Sequence, residues 1–244
     1  MTDFVSLDFA QHKLLRLANR HGAELGDALG MVGAVPTEIP ALAASYPLFF
    51  RKAPGSGRFE LAAMLGFTAT QNLFLDGERW DAGYVPLALR CEPFAVGQSA
   101  ATPDRNTLLI DLDSPRLTRS DGDVLFFSDG RPSERLQAIV DALEALVTGA
   151  QVGRDYATAL ETLDLIEPVD VRVEAEDGPP LTLSGLYTIA QDRLNALPDA
   201  ALLDLRACGF LPWIYQQAAS VGQIANLIVR RDRIRATLRA SHGA

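Results

Sequence analysis

"PLFFRKAPGSGRFELAAMLGF", residues 47–67, is the stretch on which the fold turns. Two apolar runs flank "PGSGR", where Gly55 and Gly57 supply positive φ without a steric penalty. The pattern predicts a strand, a tight connector and a returning strand, so an antiparallel hairpin.

Similar signals lie on either side. "NLFLDGERWD" at 72–81 predicts a second hairpin with Asp76-Gly77 at its tip, and "TLLIDLD" (107–113) and "DVLFFSDG" (123–130) predict two further strands. "VDVRVEA" (169–175) and "LTLSGLYTI" (181–189) pair across "EDGPP", with Val169, Val171 and Val173 on one face and Leu181, Leu183 and Gly185 matching them.

The helical signals gather in the second half. "SERLQAIVDALEALVTG" (133–149) sets Leu136, Ile139, Val140, Leu143, Leu146 and Val147 on one stripe, with Ser133 as cap and Gly149 as stop. A second helix is expected from Asp155 to Ile166, before Pro168. Beyond it, Asp199 caps a helix, Gly209 interrupts, and a long helix runs from Pro212 to Arg239. In the first half, "PTEIPALAASYP" (36–47) predicts a short helix capped by Thr37, and Gly22, Gly26, Gly30 and Gly33 mark a glycine-rich arm. Strands come first and helices later, without βαβ alternation. The fold class is therefore α+β: one domain, 1–244, with a strand-rich lobe to about residue 130 and a helix-rich lobe from about 131.

Composition narrows the function. The chain has 244 residues, 48% of them apolar, and a net charge of −9. Its pI of about 4.8 argues against tracking a phosphate backbone, so no nucleic-acid partner is expected. The opening "MTDFVSLDFAQHKLL" lacks a basic segment followed by an apolar one, and no run is long enough for a membrane helix. Cys91 and Cys208 are the only cysteines and read as packing residues, so a cytoplasmic location is expected without membrane insertion.

The clearest enzymatic signal is "LLIDLDSP" (108–115), an apolar strand ending in Asp111-x-Asp113. Two carboxylates there could hold Mg²⁺ for phosphoryl transfer. That chemistry also needs a downstream lysine, and Lys13 and Lys52 both lie upstream. The competing reading is a strand end closed by turn-forming Asp and Ser. His12, His21 and His242 form no metal-binding spacing, and no phosphate loop or nucleophile elbow occurs, so no cofactor is expected. Arginines 230, 231, 233, 235 and 239 could grip an acidic partner, but at a helix C-terminus they also complement the macrodipole while remaining solvated.

"YVPLALRCEPF" (84–94) brings together Tyr84, Pro86, Arg90, Cys91, Pro93 and Phe94. It reads as a structural corner, with Trp80 just upstream closing an aromatic cluster, or as a concave surface rimmed by Arg90 that takes a peptide or small ligand.

Taken together, "SYPLFF" (45–50), "FELAAMLGF" (59–67), "NLFLDGERWDAGYVPLALRCEPF" (72–94), "LLIDLDSPRL" (108–117), "LFFSDG" (125–130), "LSGLYTI" (183–189) and "LRACGFLPWIYQQAASVGQIANLI" (205–228) resemble the SapC family of bacterial proteins. The resemblance makes the Asp111-x-Asp113 strand end part of the fold's own signature. It brings no catalytic residues and no cofactor. Its members' association with outer-membrane receptors and modifying enzymes implies an accessory role in nutrient uptake or a modification pathway. Where the family has paired basic residues and an aromatic before Pro-Phe, this chain has Arg90, Cys91 and Glu92.

The reading is a non-catalytic accessory protein that docks a protein, peptide or small ligand through Tyr46, Trp80, Tyr84, Arg90, Phe94, Tyr187 and Tyr215. The alternative is a metal-dependent enzyme using Asp111 and Asp113. The long C-terminal helix leaves self-association as a third reading.

Overall fold

A computed structural model describes residues 4–99, 102–174 and 180–242. In chain order its strands are β1 (Phe4–Ser6), β2 (Arg16–Leu17), β3 (Met31–Gly33), β4 (Leu48–Lys52), β5 (Phe59–Met64), β6 (Leu75–Asp76) and β7 (Arg79–Trp80). There follow β8 (Phe94–Ser99), β9 (Thr102–Asp111), β10 (Leu117–Thr118), β11 (Asp123–Val124), β12 (Ile166–Val173) and β13 (Leu181–Ile189). The helices are α1 (Phe9–His12), α2 (Ile39–Leu42), α3 (Leu87–Cys91) and α4 (Glu134–Thr162) in the first two thirds. The last third adds α5 (Gln191–Asn195), α6 (Asp199–Ala207), α7 (Leu211–Ser220) and α8 (Gln223–His242). Every strand pairing in a sheet is antiparallel and the class is α+β.

The chain forms two compact units, each made of discontinuous segments: unit 1 from Met1–Ala28, Leu75–Asp81 and Leu87–Thr148, unit 2 from Leu29–Phe74, Ala82–Pro86 and Gly149–Ala244. The opening hairpin is the middle of unit 2. Its sheet runs β12-β13-β4-β5-β3, with Phe50 opposite Leu61 and Leu48 opposite Ala63. Leu48, Phe49 and Phe50 are all buried, as are Leu61, Ala62, Ala63 and Met64. Strands covered on both faces need continuous apolar runs, which explains why this stretch shows no alternation.

Unit 1 holds two small sheets, β1-β9-β8 and β10-β2-β11, and the ribbon β6-β7. Leu17 of β2 faces Leu117 on one side and Asp123 on the other, and is itself buried. Gly122 permits this convergence: it has φ 102, and a Cβ there would lie 2.2 Å from the Leu17 carbonyl oxygen.

Several expectations need correction. Gly149 does not stop a helix. The two predicted helices are one, α4, because the buried stripe continues through it: Leu136, Ile139, Leu143, Gly149, Tyr156 and Leu160 are all buried at helical spacing. A Cβ on Gly149 would stand 2.7 Å from Val35 Cβ, so the glycine is there for close approach. Val147, assigned to the stripe, is 56% exposed. Ser133 does cap this helix, its Oγ accepting from Leu136 N at 3.2 Å.

Thr37 caps nothing; it lies within a 3-10 turn, Pro36–Glu38, that leads into α2, and the Glu38 side chain returns to the Val35 amide at 3.2 Å. The glycine-rich arm contains β3, an edge strand paired with β5. The helix expected over 212–239 breaks at Val221–Gly222, where Gly222 and Ile224 donate to carbonyls three residues back, separating α7 from α8.

β12 and β13 pair as expected, although "EDGPP" lies outside the described residues save Pro180. The facing does not match. Val169 is opposite Leu186 and Val171 opposite Leu183, so β13 carries one extra residue, beside Gly185 at φ 79. This bulge shifts the parity, and Leu186 is buried where Gly185 is exposed, while Ile189 is buried on the opposite face.

Candidate functional site

The seven residues assigned to a binding surface are divided between the units: Trp80, Arg90 and Phe94 in unit 1, Tyr46, Tyr84, Tyr187 and Tyr215 in unit 2. Tyr46 has no exposed surface; its hydroxyl donates to the Tyr84 carbonyl and its ring meets Phe74 at 4.6 Å. Tyr84 in turn donates to Glu38 Oε1 at 3.1 Å. Phe94 is buried, while Arg90 is half-buried. Tyr187 meets Phe59 at 4.8 Å, with Lys52 Nζ 5.3 Å above its ring. Tyr215 is 50% exposed on α7. Within unit 1, Leu87, Leu89, Cys91 and Phe94 of this stretch are buried, and the Glu92–Pro93 bond is cis.

Asp111 and Asp113 sit where β9 ends. Asp113 N donates to Asp111 Oδ1 at 3.1 Å, so the first carboxylate closes its own turn. Among the described residues no three His, Cys, Asp or Glu are grouped to hold a metal ion.

Close by in sequence lies a residue the motif reading passed over. Arg116, buried, donates through Nη2 to Asp27 Oδ1, and Asp27 has no exposed surface. The other carboxylate oxygen of Asp27 accepts from Gly22 N at 2.9 Å and from His21 Nδ1 at 3.1 Å. Burial by itself would raise this carboxyl; the hydrogen bonds from His21 and Gly22 and the charge of Arg116 outweigh it and hold Asp27 below the usual carboxylate range. His21 also leans on Trp80, with ring centroids 5.2 Å apart. Glu92 is exposed, yet the protein around it removes part of its water. That desolvation raises its carboxyl, with Asp111 and Asp27 adding to the rise and Arg116 opposing it.

A cleft of about 520 Å³ opens in the same unit. It forms where α1 and Leu15 face the connector from Leu112 to Arg119. Leu15, Leu112 and Leu117 make its apolar walls; Gln11, His12, Thr118 and Arg119 supply the polar groups. The placement of His12 follows from helix capping. Asp8 is the N-cap of α1, its Oδ1 accepting from Gln11 N at 3.1 Å. In return the Asp8 amide donates to His12 Nδ1 at 2.9 Å, the reciprocal exchange of a capping box with imidazole in place of Glu. In the neutral ring the proton therefore sits on Nε2. His12 is 5% exposed, and Nε2 has no hydrogen-bond partner among the described residues. The Thr118 hydroxyl, by contrast, is fully engaged by Ser120 N, Asp121 N and Asp121 O.

A family model, SapC, matches residues 7–227. The chain belongs to the SapC family. No curated protein and no solved structure matches it. The signature stretches of this SapC chain are largely interior: Tyr46 to Phe50, Leu61 to Leu65, Leu87, Leu89, Ile110 and Leu205 are buried. Only "LLIDLDSPRL" adds a buried charge, Arg116. That arginine, the one basic residue of the stretch, was the signal available in sequence. Asp27 and His12 carried none.

Other expected surfaces divide. Arg231 is not solvated: it is buried, its Nη1 donates to the Glu174 carbonyl at 3.0 Å, and its guanidinium lies 5.8 Å over Phe67. Arg230 lies 4.6 Å over Phe74. Cys208 is exposed and Cys91 buried, both as free thiols. No helix among the described residues is long and apolar enough to cross a membrane.

Proposed function

We propose that this SapC-family chain is a non-catalytic accessory protein that works by binding, and that a small ligand in the His12 cleft of unit 1 is its occupant. The supporting observation is His12 itself: a nearly buried imidazole that lines a cleft walled by three leucines, its tautomer set by α1's cap. Small-molecule sites combine such apolar walls with a few placed polar groups at volumes of about 300–1,000 Å³. The family's association with uptake and modification systems supports an accessory role. The turn geometry of Asp111 gives the metal-dependent reading no comparable support.

The test is a thermal-shift screen of the full chain against metabolite-sized compounds, repeated on Leu112→Glu. Leu112 is 41% exposed, so the variant should fold while charging the cleft wall. Binding at a hundredfold excess over Kd should stabilise by about 2.7 kcal/mol, and the shift should vanish in Leu112→Glu. No stabilising compound, or shifts that persist in the variant, would overturn the reading.

A further inference from the structure

The cleft's chemistry is one-sided. None of its lining residues is acidic, in a chain with 31 Asp and Glu and a net charge of −9. Arg119 is a permanent cation on an exposed turn and makes no ion pair among the described residues. His12 presents an N–H because Nδ1 is already accepting from Asp8. Thr118 has no hydroxyl capacity left, which removes a neutral hydrogen-bonding partner from the floor. Of the strong polar groups that remain open, the imidazole Nε2 and the guanidinium only donate, and the Gln11 amide can donate or accept. The opposite walls are Leu15, Leu112 and Leu117.

Resting on the binding reading above, we infer that the occupant is a small amphiphilic monoanion, a carboxylate carrying a short apolar chain. Its head group sits against His12 and Arg119 and its chain against the leucines. Arg favours this head group because its planar fork matches two carboxylate oxygens, and charge-assisted hydrogen bonds are the stronger kind. A neutral amide of equal size would keep the apolar contacts and lose the charge, and a bare carboxylate would keep the charge and lose the walls.

The experiment is isothermal titration of the full chain with octanoate, octanamide and acetate. Octanoate should bind at least about tenfold more tightly than octanamide, and acetate should show no saturable binding. Arg119→Gln, at an exposed position, should weaken octanoate about tenfold and leave octanamide unchanged, which separates head-group recognition from folding. Octanamide binding as tightly as octanoate, or Arg119→Gln weakening both alike, would overturn the anionic class. If Leu112→Glu still abolished both, the cleft would remain a binding site for neutral ligands. If screened compounds bound in a Leu112-dependent way but octanoate did not, this inference alone would fail. If nothing bound the cleft, both readings would fall.

Discussion

Both units are assembled from stretches far apart in the chain, but they are fastened by different means. In unit 2 the fastening is aromatic: Phe50 meets Phe59 and Tyr156, and Tyr156 meets Phe210 and Trp213 at 5.4 and 6.1 Å. In unit 1 a central fastening is ionic, Arg116 on Asp27, 89 residues apart and both buried. The apolar burial that dominates such packing is non-directional and degrades gradually as volume is lost. A buried ion pair is close to all-or-none, because removing one partner leaves the other as an unmatched charge in low dielectric. The comparison teaches where each unit tolerates change.

The largest effect should come from breaking the ion pair. Arg116→Met is expected to cost about 3–5 kcal/mol, and adding Asp27→Asn should recover much of it. Phe50→Leu in unit 2 should cost less, about 1.5 kcal/mol, since an apolar side chain still fills most of the space. The chain's two tryptophans fall one in each unit, so urea unfolding followed in a Trp213→Phe background reads unit 1 through Trp80. An Arg116→Met loss no larger than that of Phe50→Leu would break the comparison.

A smaller effect tests the sign of a glycine. Helix propensity alone says Gly149→Ala should stabilise α4 by about 1 kcal/mol. The 2.7 Å approach to Val35 says the new methyl must displace a β-branched side chain, so a net loss of about 1–2 kcal/mol is expected from equilibrium melts. A gain would mean that Val35 moves aside freely.

The smallest effects are in the pH dependence. Asp27 is held below its ordinary value of 3.8, so its contribution is present above that value and lost as pH falls through the lower folded-state value. Asp27→Asn strands the buried Arg116 and so lowers stability across the whole pH range; its slope should be the informative part, a flattened acid limb in the melting-temperature profile. Glu92 has the opposite sign: its carboxyl is raised above 4.5, so folding is favoured while it is protonated and weakened as pH rises through that window. Glu92→Gln should remove this slope, with a slight change only, because the side chain is exposed. An unchanged acid limb in Asp27→Asn would remove the carboxylate from the account of unit 1.

Much of the architecture could be read from residues close in sequence. The β4–β5 hairpin, the Ser133 cap, the β6–β7 ribbon and the pairing of β12 with β13 each rest on local turn chemistry and periodicity. Two of the differences share a cause: at Gly149 and Gly185 tertiary contact overrides intrinsic glycine propensity. Gly149 looks like a stop and is a contact point. Gly185 looks like one more inward position and is the bulge that reverses the facing. The cleft was least legible, since α1 is four residues long and His12 gains its meaning only when the Leu112–Arg119 connector lies opposite.

The sequence by itself determined the α+β class, the central hairpin, the Ser133 cap, the Asp76-Gly77 turn, and membership of the SapC family, whereas Asp199, expected as a cap, is the first residue of α6 behind Pro198. The features so determined depend on φ preferences, apolar spacing and short motifs, which act over a few residues. The tertiary structure alone decided that Asp27 meets Arg116, that helix α4 runs on through Gly149, and that His12 faces a cleft without a carboxylate. Those outcomes depend on which distant surfaces meet once water is excluded, and no local preference encodes that.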